Sequence, residues 1–108
     1  MAHYMLQAAY TPQAWAALLK NPQDRAQALK PLLDKLGGKV ESSYFTFGDY
    51  DIVAIAQMPA NADMAAFSMA AAAGGAIKSL KTTPLLTTAE GLDAMRKAAA
   101  CGYTPPKA

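Results

Sequence analysis

The sequence predicts a single α+β domain in which helices pack on one face of an antiparallel sheet. A length of 108 residues is typical of one domain. Short segments rich in β-branched and aromatic residues alternate with segments in which leucine, alanine or methionine recurs at helical spacing. Proline and glycine pairs separate these segments at Asn21-Pro22, Gly37-Gly38 and Gly74-Gly75. We therefore expect residues 1–108 to form one domain.

The N-terminal segment predicts a strand followed by a helix. Residues 3–10 are short and contain two tyrosines, which favours a strand. Thr11 offers an N-cap side chain, and Pro12 suits the first helical position. The helix ends at Asn21-Pro22. Its apolar side, with spacing i, i+3 and i+4, consists of Trp15, Leu18 and Leu19.

A second helical segment is predicted from Gln23 to Leu36. Its apolar stripe consists of Ala26, Leu29, Leu32, Leu33 and Leu36. Pro31 lies inside this stripe and removes one backbone hydrogen bond. We expect a kink there and not an end, because the stripe continues beyond the proline. Gly37-Gly38 supplies the left-handed cap.

A hairpin is predicted next, with strands at residues 39–47 and 50–57. Gly48-Asp49 between them predicts a two-residue turn with glycine at the first central position. The second strand of the hairpin is rich in β-branched residues, and Met58-Pro59 ends it.

The C-terminal part predicts a helix, a strand and a last helix. Asn61 or Asp63 is expected to cap an alanine-rich helix, whose small side chains favour a close approach to the sheet. Residues 76–86 predict the fourth strand, with Pro84 at a sheet edge or bulge. A terminal helix over 89–100 and a tail over 101–108 complete the domain.

The predicted order, βαββαβ with an extra C-terminal helix, is that of the ferredoxin-like split βαβ arrangement. Two helices then cover one face of the sheet and leave the other face bare. A second copy pressed against the bare face would give a dimeric α/β barrel, and shared strand edges would give a trimer. We therefore expect a homo-oligomer.

Composition excludes several classes of protein. A net charge of +2 without a basic stripe argues against a nucleic-acid partner. The apolar runs fall short of a membrane span, and the N-terminus lacks the pattern of a signal peptide. The single cysteine, Cys101, favours a reducing cytoplasm. Alanine, roughly a quarter of the chain, adds apolar residues without much bulk, so we expect a modest core.

The stretch from Phe45 to Val53 resembles the signature of the GYD-domain family, which is named for a Gly-Tyr-Asp core with an acidic residue between glycine and tyrosine. Further segments fall where that family keeps similar ones, at 21–25, 36–39, 74–78 and 81–87. The end, residues 91–106, resembles a subgroup with a terminal helix and a Tyr-x-Pro-Pro tail. The resemblance implies a ferredoxin-like subunit related to dimeric α/β barrels, and it carries over no catalytic set.

Alternation along the first strand places His3 and Gln7 on the bare face, opposite Tyr4 and Leu6. A polar pair on an otherwise apolar face fits a pocket for a small ligand. Taken alone, His3 is more simply explained as a solvated histidine, and Gln7 as a glutamine in an interface. The candidate lining consists of His3, Gln7, Tyr44, Phe47, Asp51 and Lys78.

His3, the only histidine, and Asp51 are the candidates for an acid or base. Asp49 and Asp51 alone make a poor cation site, and turn chemistry explains them better. We therefore predict no metal and no cofactor. Arg25 is expected to form a salt bridge or helix-end bond in preference to capturing an anion. Cys101 is not expected to act as a nucleophile.

Three hypotheses about function follow, and none of them fixes a reaction. The first is a small-molecule-binding or regulatory homo-oligomer with a pocket on the open sheet face. The second is a cofactor-independent enzyme, such as a monooxygenase or isomerase, that uses His3 or Asp51 as acid or base. The third is a scaffold whose open face serves only assembly.

Overall fold

The computed structural model describes residues 1–107, which form four strands and four helices. In chain order these are β1 (Ala2–Tyr10), α1 (Pro12–Lys20), α2 (Arg25–Lys35), β2 (Lys39–Phe45), β3 (Ile52–Met58), α3 (Asn61–Ala73), β4 (Ile77–Leu85) and α4 (Thr88–Ala100). The predicted tail begins with a turn at 101–102, and its last residue, Ala108, lies outside the described residues.

The strands form one sheet in the order β2-β3-β1-β4, and all neighbours are antiparallel. This order, with helices between β1 and β2 and between β3 and β4, is the ferredoxin-like arrangement. The predicted α+β fold with an extra C-terminal helix is therefore confirmed. Pro84 lies in β4, which is an edge strand, and this is where a residue without a backbone N–H is tolerated.

The two faces of the sheet differ as alternation along β1 predicts. Tyr4, Leu6, Ala8 and Tyr10 are buried on one side, which we call the helix face. His3, Met5 and Gln7 lie on the other side, the open face, and are partly exposed. Helices α2 and α3 pack on the helix face, where their apolar side chains join those of β1 and β3.

The core lies on the helix face. Its buried residues are Tyr4, Leu6, Leu33, Ala56, Met58, Met64 and Phe67. Gly38 permits the close approach of β2 to this core, because a Cβ at that position would lie 2.3 Å from Met58 Sδ and 2.6 Å from the Gln57 carbonyl oxygen. Any side chain at position 38 would force the start of β2 away from the end of β3.

Side-chain caps fix the starts of α1 and α2. Thr11 Oγ1 accepts from the Ala14 N–H at 3.1 Å, as predicted, and Pro12 is the first helical residue. Helix α2 begins at Arg25 and not at Gln23, because Asp24 caps it by accepting from two backbone N–H groups. The helix continues through Pro31 to Lys35, as the apolar stripe indicates.

Two details of the helices differ from the sequence-based expectation. Leu19 is 76% exposed and so does not belong to the apolar side of α1. Neither Asn61 nor Asp63 caps α3: the N-cap is Ala60, which has no capping side chain. Asn61 is instead the first helical residue, and its side-chain oxygen accepts a hydrogen bond from the Tyr4 hydroxyl.

The predicted two-residue hairpin turn is wrong. Strands β2 and β3 end and begin further from the turn, at Phe45 and Ile52, and the Thr46 N–H donates to the Asp51 carbonyl at 2.8 Å. The Thr46 hydroxyl also donates to the Tyr50 carbonyl at 2.7 Å. These two bonds close a wider loop, in which Gly48 adopts a φ of 143° that other residues rarely adopt.

Helix α4 projects from the domain. All of its residues except Gly91 are exposed, including Met95 at 68%. The radius of gyration is 17.4 Å, whereas a compact domain of this length has about 13 Å. The molecule is therefore elongated. Within residues 1–107 no helix combines the length and apolar character that crossing a bilayer requires.

Candidate functional site

The open face carries cross-strand rows of residues that the register defines. Gln7 lies opposite Val53 on β3 and opposite Lys81 on β4, and Val53 in turn lies opposite Tyr44 on β2. Two predicted pocket residues, Gln7 and Tyr44, are thus brought to one row with Val53 between them. Tyr44 is 69% exposed, so solvent reaches this row.

A bulge in β2 decides the position of Tyr44. Val40 lies opposite Ala56 on the helix face, so simple alternation would place Tyr44 on that face too. The register shifts between Val40 and Ser42, which leaves Glu41 as the additional residue. The shift moves Tyr44 to the open face.

The same bulge builds a polar cluster around Glu41. Its carboxylate Oε1 lies 3.1 Å from His3 Nε2 and also accepts from the Gln57 side-chain amide. His3 and Glu41 are both partly exposed, and the carboxylate orients the imidazole ring. Sequence reasoning singled out His3 and missed Glu41, because only the bulge brings Glu41 beside it.

Phe47 and Lys78 lie apart from these rows. Phe47 is fully exposed in the loop between β2 and β3. Lys78 is exposed at the irregularity of β4 beside the Ala9/Tyr10 register shift. Of the two lysines of β4, Lys81 is the one opposite Gln7 in the open-face row.

Asp51 serves as an acceptor that ties three elements together. Its Oδ2 accepts from the Tyr10 backbone N–H at 2.9 Å and from Trp15 Nε1 at 3.1 Å. The Trp15 ring also packs edge-on against the Tyr10 ring, with centroids 5.5 Å apart. The carboxylate thereby holds α1 and the hairpin loop at the end of β1. Among residues 1–107 no group of three potential metal ligands occurs.

The helix face carries a groove that sequence reasoning did not predict. A cavity of about 260 Å³ opens between α2, α3 and the sheet. Apolar residues make up most of its lining: Leu6, Ala8, Ala26, Leu29, Leu32, Leu33, Val40, Ile52, Ala54, Phe67, Ala70, Ala71, Ala76, Ile77 and Leu80. The alanines of α3 therefore border open space here, where a close approach to the sheet was expected.

Three polar residues line the groove, Tyr10, Arg25 and Ser43, and Tyr10 and Arg25 lie next to each other. Burial raises the pKa of the Tyr10 hydroxyl, against the smaller lowering effect of the Arg25 guanidinium beside it. Both residues also line a smaller cleft of about 170 Å³ against α1. The pair, together with Ala76, thus borders both the groove and the cleft.

Comparison with known proteins agrees with the fold and confirms the family that the sequence resembles. The model of the GYD-domain family matches residues 4–95. The solved structure titled "crystal structure of FFRP-DM1" is similar, with a TM-score of 0.50 and 14% identity over 80% of this chain and all of that chain. At that identity the likeness concerns the fold alone. No curated protein matches the chain.

Proposed function

The chain belongs to the GYD-domain family, and on that premise we propose that it is a small-molecule-binding or regulatory homo-oligomer. The ligand occupies the groove of the helix face, and the open face joins a second copy. This assignment moves the pocket from the open face, where the sequence suggested it, to the opposite side of the sheet. Cytoplasmic location and the absence of a nucleic-acid partner stay predictions from composition.

The main support for a binding function is the groove on the helix face. Interiors of proteins are close-packed, and empty spaces larger than a few water molecules are uncommon. A mostly apolar cavity of about 260 Å³ beside a few polar groups has the character of a ligand site. Alanines at positions 8, 54, 70 and 71 keep it open, because larger side chains there would fill it.

Self-assembly is supported by the apolar centre of the open face. Met5, Val53 and Ile55 lie there in adjacent rows and are only half-buried in one copy. Polar residues flank them, with the His3–Glu41 pair at one end and Gln7 and Lys81 beside Val53 at the other. An apolar centre with a polar rim is typical of a protein interface.

Native mass spectrometry of the purified full-length protein tests both parts of the proposal. We expect an oligomer that carries a co-purified small molecule. An Ile55→Lys variant is expected to give monomers, because it places an unpaired charge at the centre of the interface. Leu19→Lys is the matched control, since Leu19 is an exposed leucine on α1. A wild-type monomer without any ligand contradicts the proposal.

The second candidate function is a cofactor-independent enzyme, and the Glu41-oriented His3 favours it. A histidine held by a carboxylate on a partly exposed face has the arrangement of a general base. Asp51 is less suited, because its Oδ2 already accepts two hydrogen bonds. Conversion of a metabolite mixture by the wild type, and its loss in a His3→Gln variant that still assembles, would establish this function over simple binding.

A further inference from the structure

We propose that the groove binds an amphipathic carboxylate, a molecule with a short apolar chain and one carboxylate group, and that Arg25 and Tyr10 hold the carboxylate. The inference rests on the proposed function, since it specifies the ligand of the same groove.

The groove fits a short apolar chain. At the volume of ~30 Å³ that a water molecule occupies in the liquid, a cavity of about 260 Å³ holds roughly nine non-hydrogen atoms. The lining on the sheet consists of side chains such as Ile52 and Leu80, and α2 adds Leu29 and Leu32 on the opposite side. Burial of an alkyl chain between these side chains is favourable by the hydrophobic effect.

Arg25 supplies a positive charge at one end of this apolar space. Arg25 is partly buried as a residue, and its guanidinium Nη1 donates to the neutral Gln23 side-chain oxygen at 3.1 Å in an exposed hydrogen bond. The ion pairs found within residues 1–107 join His3 to Glu41 and Lys97 to Asp93, so the charge of Arg25 is not neutralised by an ion pair there. A guanidinium bordering an apolar cavity complements a carboxylate, which it can bind through two parallel hydrogen bonds.

Two acidic residues lie near Arg25 and Tyr10: Asp24 precedes Arg25 in sequence, and Asp51 contacts Tyr10. Both already accept hydrogen bonds from other groups. Asp24 accepts from the Ala26 and Gln27 N–H groups at the start of α2. Asp51 accepts from the Tyr10 backbone and from Trp15. Neither carboxylate lines the groove, whereas the Tyr10 side chain does. The Tyr10 hydroxyl can therefore donate to the same anion that Arg25 attracts.

Binding of decanoate, measured by isothermal titration calorimetry on the full-length protein, tests the inference against decanol, which has the same chain without the charge. We expect the wild type to bind decanoate at least tenfold more tightly. Arg25→Gln is expected to weaken decanoate binding about tenfold to a hundredfold, since a charge-assisted hydrogen bond is lost, and to leave decanol binding unchanged. Arg96→Gln, the same charge change on exposed α4, should alter neither.

A second pair of variants locates the chain in the groove. Ala71→Phe is expected to abolish binding of both molecules, because Ala71 lines the groove. Ala72→Phe is its control, since Ala72 is the exposed neighbour on the same helix. Thermal unfolding of each variant establishes that it folds.

The failures of the two proposals are distinguishable. Equal affinities for decanol and decanoate in the wild type and in Arg25→Gln would overturn the carboxylate inference and leave a small-molecule site in place. Binding of neither molecule, together with dissociation of the oligomer by Ala71→Phe, would overturn both, because the groove would then be filled by a second copy of the chain.

Discussion

The two halves of the helix face share a sheet and two helices, yet one is packed and the other is open. In the packed half, Met58, Met64 and Tyr4 are almost fully buried. In the groove half, alanines such as Ala8 and Ala54 line the open space. The strand Ile52–Met58 crosses both halves, with Ala54 at the groove and Ala56 in the core. The two halves therefore differ in how completely side chains fill the space between the helices and the sheet.

Truncation of a large side chain should give the largest difference in stability between the two halves. Met58→Ala is expected to lower the free energy of unfolding by about 2–5 kcal/mol, because it leaves a cavity in a packed region. Leu80→Ala, at the groove, should lower it by about 1 kcal/mol, because this side chain is only partly buried. Urea unfolding at one protein concentration measures both. Equal losses would mean that the groove is as tightly packed as the core.

Replacement of an alanine by leucine should change the stability of the fold in opposite directions in the two halves. Ala56 is 0% exposed, so Ala56→Leu should destabilise the fold by about 1–3 kcal/mol through overpacking. Ala54→Leu fills groove space instead and should raise stability by up to about 1 kcal/mol. The same urea titration compares them. A larger loss for Ala54→Leu than for Ala56→Leu would contradict the existence of the groove.

The groove end should also respond to alkaline pH through Tyr10. Because burial raises its pKa above 10.0, the folded protein holds the phenolic proton more tightly than the unfolded chain does. This contribution to stability is complete below pH 10.0 and is lost as the pH rises through the higher pKa of the folded state. Tyr10→Phe should therefore reduce the fall in thermal midpoint between about pH 9 and about pH 11.

The exposed Tyr103 provides the control for this measurement. Tyr103→Phe should leave the alkaline fall in midpoint as it is in the wild type. If both variants behave alike, the alkaline transition does not arise at the groove end.

Helix α4 lies outside both halves, and the titration of Glu90 in its first turn should have the smallest effect on stability. Hydrogen bonds from the Thr87 backbone and side chain hold the pKa of Glu90 below its ordinary value of 4.5. The stabilisation is therefore present above pH 4.5 and is lost as the pH falls through the lower pKa of the folded state. An NMR titration of the Thr87 amide should show this step, and Glu90→Gln should remove it. A step that persists in Glu90→Gln would assign it to another carboxyl group.

Much of the fold could be predicted because strands repeat every two residues and because glycine and proline mark their ends. Alternation in β1 assigned Tyr4 and His3 to opposite faces correctly. In β2 alternation alone does not fix the face of Tyr44, because the extra residue Glu41 shifts the register and nothing in the sequence marks a bulge there; Tyr44 nevertheless lies on the open face, where it was expected. The two-residue turn failed for a related reason, since Thr46 satisfies backbone groups of the loop that the pattern Gly48-Asp49 does not reveal.

The groove could not be predicted because alanine is compatible with two opposite arrangements. A small side chain allows a helix to approach a sheet closely, and it also leaves space when neighbouring large side chains hold the helix away. Met64 packs α3 in the core, and Phe67 lies between the core and the groove. The alanines further along the helix, Ala70 and Ala71, then border a cavity. Only the positions of residues distant in sequence decide between these outcomes.

The outlying position of α4 has a consequence for how the protein diffuses. A particle with dimensions of 57 × 36 × 22 Å meets more friction than a sphere of the same mass. A single copy would therefore leave a gel-filtration column early, as a heavier sphere does, but it would sediment more slowly than a compact sphere of its own mass. If α4 folds against a second copy, the pair becomes rounder, and its frictional ratio falls while its mass doubles. The frictional ratio, measured by sedimentation velocity, thus reports where α4 lies in the assembly.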